Sequence, residues 1–285
     1  MPLLGAHMSI AGGHWLALEA AAGLGMEACQ LFTKSNQQWR AVPLVPAEVE
    51  RFHGVRRDHG VKSAVAHASY LINLATSDSA LFAKSTAALV EELRRADALG
   101  LEALILHPGV ATDDNAHDGI DRVAAAVNTT FQLTPSCRTQ LLLETTAGQG
   151  RSLGHTFEQL AAILTQISKA DRVGVCLDTC HVFAAGYPLA PRKNYLQTLR
   201  QFDNSIGLER LRVFHLNDSK KPQGSRVDRH EHIGLGQLGP EPFHLLLGDK
   251  RFKNHPMILE TPKEWSDGTP ADPINLQTLR KLMKV

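Results

Sequence analysis

Gln140-Leu141-Leu142-Leu143-Glu144 and Val173-Gly174-Val175-Cys176-Leu177-Asp178 are short, nearly continuous apolar runs, and each ends on a carboxylate. Between them Phe157, Leu160, Ile163, Leu164 and Ile167 recur at helical spacing, so residues 155–169 are expected to form a helix with these side chains inward. The flanking runs are apolar at almost every position, which suits strands buried on both faces. Strand, helix and strand in this order make a βαβ unit with parallel strands.

The same unit recurs on both sides. Upstream stand Leu3-Leu4-Gly5-Ala6-His7, Ala28-Cys29-Gln30-Leu31-Phe32, Ser63-Ala64-Val65-Ala66-His67 and Ala103-Leu104-Ile105-Leu106-His107. Downstream are Leu211-Arg212-Val213-Phe214-His215 and Met257-Ile258-Leu259-Glu260. From His7 to Glu260 the eight runs are spaced by about 36 residues, the length of one βα unit. Residues 78–100 show the pattern of the connections: Phe82, Leu89, Leu93 and Ala96 share a face, Ser77 or Asp78 can cap the start, and Gly100 fits the position just past the end. Eightfold alternation predicts one α/β domain over residues 1–285, a (β/α)8 TIM barrel. A doubly wound open sheet would carry G-x-G-x-x-G after its first strand, and Ala11-Gly12-Gly13 does not supply it.

Composition narrows the class. The chain is 43% apolar and 21% charged, as in ordinary globular proteins, and no apolar run is long enough to span a membrane. Met1-Pro2-Leu3-Leu4-Gly5-Ala6-His7 has no basic leader character, so a cytoplasmic protein is expected. Cys29, Cys137, Cys176 and Cys180 form no C-x-x-C pair and are expected to be reduced thiols. The net charge of +1 excludes a broadly basic nucleic-acid binder, so any polyanion site must be local. Fourteen histidines is a high count for this length, and their positions decide what it means.

In a TIM barrel the chemistry sits at the C-terminal ends of the strands. Those ends carry His7, His67, His107, Glu144, Asp178, His215 and Glu260. One strand-end histidine alone would read as a structural residue; seven of eight strands ending in a potential ligand predict a metal cluster at that face. His181 follows Asp178 by three residues. Asp228 and His230, two apart in an extended loop, point the same way and can chelate one ion. Mixed imidazole and carboxylate ligation suits Zn²⁺, Mn²⁺ or Fe rather than Mg²⁺ or Ca²⁺. With His7 set aside, nine candidates exceed the needs of one tetrahedral ion and, with one bridging carboxylate, supply two or three. Clustered ions commonly clamp a phosphoryl group, so phosphoester hydrolysis is expected, with a metal-dependent sugar isomerase as the open alternative.

At these residues the chain resembles the endonuclease IV family of apurinic/apyrimidinic endonucleases. The likeness runs nearly end to end, through Gly5-Ala6-His7-Met8-Ser9, Leu31-Phe32-Thr33-Lys34, His67-Ala68-Ser69-Tyr70-Leu71 and His107-Pro108-Gly109. It continues through Glu144-Thr145-Thr146-Ala147-Gly148, Cys176-Leu177-Asp178-Thr179-Cys180-His181, His215-Leu216-Asn217-Asp218-Ser219-Lys220, Val227-Asp228-Arg229-His230 and Leu259-Glu260-Thr261. The resemblance implies three divalent ions, typically Zn²⁺ with Mn²⁺ or Fe as alternatives. His67, His107 and Glu144 would hold the first; Asp178, His215 and Glu260, with Glu144 bridging, the second; His181, Asp228 and His230 the third. It implies hydrolysis of the phosphodiester 5′ to an abasic site in double-stranded DNA, leaving a 3′-hydroxyl and a 5′-deoxyribose phosphate, and trimming of blocked 3′ ends, in base excision repair. A hydroxide between the first two ions would attack phosphorus in line, with Glu144 and Glu260 as the catalytic carboxylates and Glu260 steering the proton.

The family also bends DNA and flips the abasic nucleotide out of the stack. Tyr70 and Leu71 match wedge positions, and Lys34, Arg40, Lys220, Lys221, Arg226 and Arg229 lie in loops expected to meet phosphates. Gln37, in Lys34-Ser35-Asn36-Gln37-Gln38-Trp39, stands where the family usually inserts an Arg. Weaker DNA binding or looser lesion discrimination is therefore expected, with chemistry intact. A monomer is expected. A sugar isomerase or epimerase on the related barrel would need neither the third ligand set nor the loop of residues 34–39. A non-enzymatic DNA- or metal-binding barrel would bind without turnover.

Overall fold

The computed structural model describes residues 1–113 and 115–284. Eight parallel strands close into a barrel: β1 (Leu3–His7), β2 (Ala28–Phe32), β3 (Ser63–His67), β4 (Ala103–Leu106), β5 (Gln140–Glu144), β6 (Val173–Asp178), β7 (Leu211–Leu216) and, after a two-stranded ribbon of β8 (Asp218–Ser219) and β9 (His230–Glu231), β10 (Pro256–Leu259). The strands follow one another around the barrel, and β1 pairs with both β2 and β10. Helices α1 (His14–Gly23), α2 (Pro46–His59), α3 (Ser79–Ala98), α4 (Ala116–Leu133), α5 (Phe157–Thr165), α6 (Thr179–Ala184), α7 (Arg192–Ser205), α8 (Glu241–Leu247) and α9 (Asp272–Leu282) lie in the connections. Among the described residues no helix is long and apolar enough to cross a membrane.

Side chains alternate across a strand, so each barrel strand feeds two cores. Leu31, Leu104, Leu141, Leu143, Phe214 and Leu259 belong to the large outer core shared with the helices. Ala28, Val65, Ala103, Ile105, Leu142, Cys176, Val213 and Ile258 form a separate small cluster inside the barrel. The position two residues after an inward apolar side chain is inward again and nearer the C-terminal rim. His67 stands above Val65, His107 above Ile105, Glu144 above Leu142, Asp178 above Cys176, His215 above Val213 and Glu260 above Ile258. The packed interior is therefore the floor on which the polar side chains rest.

The 78–100 segment folds as expected. Asp78 caps α3 by accepting from the backbone N–H of Ala80 at 2.8 Å and Leu81 at 3.0 Å, and Gly100 takes a left-handed φ of 65° just past the end. Leu89, Leu93 and Ala96 are fully buried. The helix expected over 155–169 is shorter, Phe157–Thr165. Thr156 caps its start, and at the far end Asn128 of α4 accepts from both the backbone N–H and the hydroxyl of Ser168 at 2.9 Å. That contact takes the chain off the helix axis before β6 begins, although Ile167 remains buried.

Two buried carboxylates set the rim loops. Asp218 accepts from the backbone N–H of Ser219, Gly234, Gly236 and Leu238 at 2.7–3.0 Å, which folds residues 218–238 back over the barrel mouth. Gly236 is required there, because a Cβ would lie 2.4 Å from the Asp218 carboxylate. Glu92 of α3 accepts from the Ser69 N–H at 3.2 Å and pairs with Lys34 at 3.3 Å, so it joins the loops after β2 and β3.

Candidate metal centre

Glu144 lies at the middle of the barrel mouth, fully buried. One of its oxygens faces His67 Nε2 at 3.1 Å and His107 Nε2 at 3.3 Å. The other faces His215 Nδ1 at 3.0 Å and His181 Nδ1 at 3.2 Å. Around it the donors fall into overlapping sets: His67, His107 and Glu144; Glu144, Asp178, His215 and Glu260; and Asp178, His181 and His230. Within each set one potential ligand atom per residue lies within 4.8 Å of the others. Asp228 completes the last group, 3.1 Å from His181 Nε2 and 3.2 Å from His230 Nε2. All nine residues expected from the sequence converge. The β8–β9 ribbon brings Asp228 and His230 in from a loop, and the Asp178 side chain caps α6 through the His181 N–H at 2.8 Å, which sets where His181 points.

An imidazole ligates through the nitrogen that does not carry its proton, and a partner on the other nitrogen decides which that is. His67 Nδ1 donates to the Ala68 carbonyl at 2.7 Å, His181 Nδ1 to the Thr145 carbonyl at 2.8 Å, and His230 Nδ1 to the Glu260 carbonyl at 3.2 Å. His215 is reversed: its Nε2 donates to Gln30 Oε1 at 2.7 Å, leaving Nδ1 toward Glu144 and Glu260. In the neutral form four of the five imidazoles would thus aim a lone pair, not a proton, at the carboxylates. The buried Nε2 atoms of His181 and His230 make no hydrogen bond among the described residues. Lone pairs facing carboxylates would repel each other, and a cation between them removes the conflict. The donor set therefore fits divalent metal ions, and its mixture of nitrogen and oxygen suits Zn²⁺.

Charge at the site runs the same way. Burial alone would raise the Glu144 carboxyl, but the neighbouring His215 and His107 hold it well below the usual carboxylate range. Glu260 is likewise held low, burial being outweighed by the neighbouring His215. Burial opposes protonation of His230, yet Asp178 and Asp228 push it up to about 9. Burial opposes protonation of His181 too, and the same two carboxylates push it well above its ordinary value. In the metal-free protein these carboxylates thus favour protonation of His181 and His230.

Two polar residues at the site escaped the sequence reading. Gln30, from the middle of an apolar strand, is fully buried and donates from its amide nitrogen to Glu260 at 2.6 Å. Asn217 donates to Asp178 Oδ2 at 2.6 Å and accepts from the Glu260 N–H at 3.0 Å. Strand parity was the available signal for Gln30, which stands above the inward Ala28. His7 Nδ1 lies 2.9 Å from the Gln30 amide nitrogen and 3.7 Å from Glu260, outside the metal sets. The four cysteines are free thiols, and Cys180 has its sulfur 3.8 Å from the Arg229 carbonyl, beside the third set.

The donors floor a cleft of about 480 Å³ lined by His67, Tyr70, His107, His181, Asp228 and Arg229. Tyr70 is 60% exposed, with its ring centroid 5.1 Å from that of His67, so it projects from the rim rather than packing in the core. Leu71 beside it is half-buried. The Ser69 hydroxyl donates to the Asn36 carbonyl at 2.7 Å, tying the Tyr70 loop to the loop that exposes Gln37. Arg40, Lys220, Lys221, Arg226 and Arg229 are exposed. Lys34, unlike these, is only 5% exposed, pairs with Glu92 and donates to the Gln38 carbonyl at 2.6 Å, so it anchors its loop from below.

A family model described as a xylose isomerase-like TIM barrel matches residues 18–283. A protein of Citrifermentans bemidjiense named probable endonuclease 4 is 44% identical over 284 residues, covering 100% of both chains. The crystal structure of endonuclease IV from Thermus thermophilus is 40% identical and covers 99% of each chain, with a TM-score of 0.88. A D-tagatose 3-epimerase-like protein matches with a TM-score of 0.75 over 98% of this chain and 97% of its own, but at 17% identity it shares the fold alone.

Metal-free protein is expected to lose stability as pH rises. The folded-state pKa of His230, at about 9, exceeds the ordinary 6.5, so its stabilising contribution is complete below 6.5 and is lost as pH climbs through 9. Metal-loaded protein should not show that loss, because ions replace the protons and their uptake releases them. Thermal denaturation of both forms between about pH 6 and 9.5 tests this; parallel curves would contradict it.

Proposed function

This chain belongs to the endonuclease IV family, and from that premise we propose that it repairs DNA by hydrolysing the phosphodiester 5′ to an abasic site in a duplex. The products are a 3′-hydroxyl and a 5′-deoxyribose phosphate, and the same site trims blocked 3′ ends. The enzyme acts as a monomer in the cytoplasm, as one barrel domain. The observation that carries this reading is the convergence of nine donors, eight of them around the buried Glu144, at the floor of a cleft.

In this reading His67, His107 and Glu144 hold one divalent ion, Asp178, His215 and Glu260 with Glu144 a second, and His181, Asp228 and His230 a third. Zinc is the best match to the donors. When bound, such ions supply Lewis-acid stabilisation of the phosphate and leaving oxygen and make water acidic enough to attack at neutral pH. Three divalent ions outweigh four carboxylates, so the loaded site is positive and receives a phosphodiester. The rest falls to the chain. Glu260, kept ionised beside His215, accepts the attacking water's proton on its carboxylate. Glu144 keeps the two sets that share it in register. Asp228 and His230 close the side nearest Arg229, where the leaving oxygen departs.

Substrate selection belongs to the rim. Tyr70 and Leu71 enter the stack beside the lesion, and an abasic nucleotide, already without its base, costs less to extrude into the cleft than an intact one. Arg40, Lys220, Arg226 and Arg229 contact phosphates, which confines the positive field to the loops of a nearly neutral protein. Gln37 fills the gap with a shorter, neutral side chain than arginine. The third donor set separates this site from a sugar epimerase working with one or two ions.

A duplex carrying one synthetic abasic site should be cut 5′ to it, and the intact duplex should not. Folded, metal-loaded protein that leaves the lesion uncut would overturn the proposal. Glu260→Gln should lower kcat roughly 10²- to 10⁴-fold, the range for a lost general base, with abasic-duplex affinity retained. Gln37→Arg should tighten binding of abasic duplex, on the order of fivefold to tenfold at low salt, with a steeper salt dependence; an unchanged Kd and salt slope would show that Gln37 does not limit affinity.

A further inference from the structure

Strands β1 and β2 supply none of the nine donors. In their place stand His7 and Gln30, paired side by side across the two strands. Gln30 has no exposure at all, and a buried carboxamide is costly unless its groups are bonded. Its nitrogen donates to Glu260 Oε1 at 2.6 Å and to His7 Nδ1 at 2.9 Å, and its oxygen accepts from His215 Nε2 at 2.7 Å. The orientation of the amide follows from chemistry. An ionised carboxylate only accepts, so the NH₂ end must face Glu260 and the carbonyl must face His215. A carbonyl only accepts, so His215 carries a proton on Nε2, and in its neutral, ligating form it presents the Nδ1 lone pair to Glu144 at 3.0 Å and Glu260 at 3.1 Å.

We propose that Gln30 is a positioning residue for the ion shared by Glu144, Asp178, His215 and Glu260, a role that rests on the metal-centre reading above. One carboxamide fixes the tautomer of one donor and the rotamer of another. No other side chain bridges those two donors in this way among the described contacts. The first set depends on the Ala68 carbonyl and the third on the Thr145 and Glu260 carbonyls for the same service. Gln30 therefore serves one set and leaves the others alone.

Gln30→Met keeps the length and volume of the side chain and removes both hydrogen-bonding ends; Gln30→Leu is the second variant should the first misfold. Metal-stripped wild-type and variant proteins would be titrated with zinc against a chromophoric chelator. In parallel, Co²⁺ substitution reports the ligand field, and circular dichroism reports the fold. The expected result is one ion held on the order of 10- to 100-fold more weakly, as for the loss of a partner that orients a ligand. The other ions should keep their affinity, and one component of the cobalt spectrum should change. Equal weakening of every ion would show a general structural role and overturn the assignment, as would wild-type affinity throughout. Wild-type protein that takes up no ions would sink the metal-centre reading itself. Wild-type loading with an unchanged variant sinks only the role of Gln30.

Discussion

Everything at the mouth of this barrel is arranged around one buried carboxylate. Glu144 has no solvent to share its charge and touches four imidazoles. Three of the four have a nitrogen committed elsewhere: His67 to the Ala68 carbonyl, His215 to Gln30, and His181, through its Nδ1, to the Thr145 carbonyl. An isolated ion in such a place would carry a desolvation cost that side-chain contacts alone rarely recover. Divalent cations in the gaps between donors would resolve it, and the proposed function rests on what such cations would attract.

The barrel makes this arrangement possible through parity. A parallel strand exposes alternate residues to the interior, and a closed sheet aims all of those interiors at one axis. Placing a polar residue two positions above an inward aliphatic one, on strand after strand, gathers groups that are far apart in the chain over a dry floor. The loops then add what strands cannot. The Asp218 carboxylate gathers four backbone N–H groups and turns the ribbon carrying His230 back over the opening. Glu92 holds Lys34 and Ser69 together, so the segments bearing Gln37 and Tyr70 are tied to one another. The rim is thus fastened from beneath by a buried ion pair and hydrogen bonds.

The barrel and the gathering of the nine donor residues at its mouth were readable in the sequence because both have local signatures. Strands buried on two faces must be apolar throughout, and a histidine or acid ending such a run is conspicuous. Asp178 and His181, three apart, and Asp228 and His230, two apart, carry their geometry in their spacing. What escaped depends on distant partners. Gln30 looks like a stray polar residue in Ala28–Phe32 until Glu260 and His215 are placed beside it. Lys34 looks like a surface cation until Glu92, on the helix that follows β3, takes its charge. The last turn expected after Thr165 is lost to Asn128, again a tertiary partner. Local pattern specifies which residues are polar; only packing decides whether they face a substrate, an ion or each other.

Epimerase-like barrels share this fold at low identity, so the architecture alone does not set the chemistry. The proposed chemistry turns instead on the number and placement of the ions the nine donors would hold. Anomalous diffraction from crystals of the metal-loaded protein, recorded at the zinc edge, measures both directly. The account predicts three peaks clustered around Glu144, one beside His67 and His107, one beside His215 and Glu260, and one between His181, Asp228 and His230. A single ion, or ions bound away from Glu144, would contradict it.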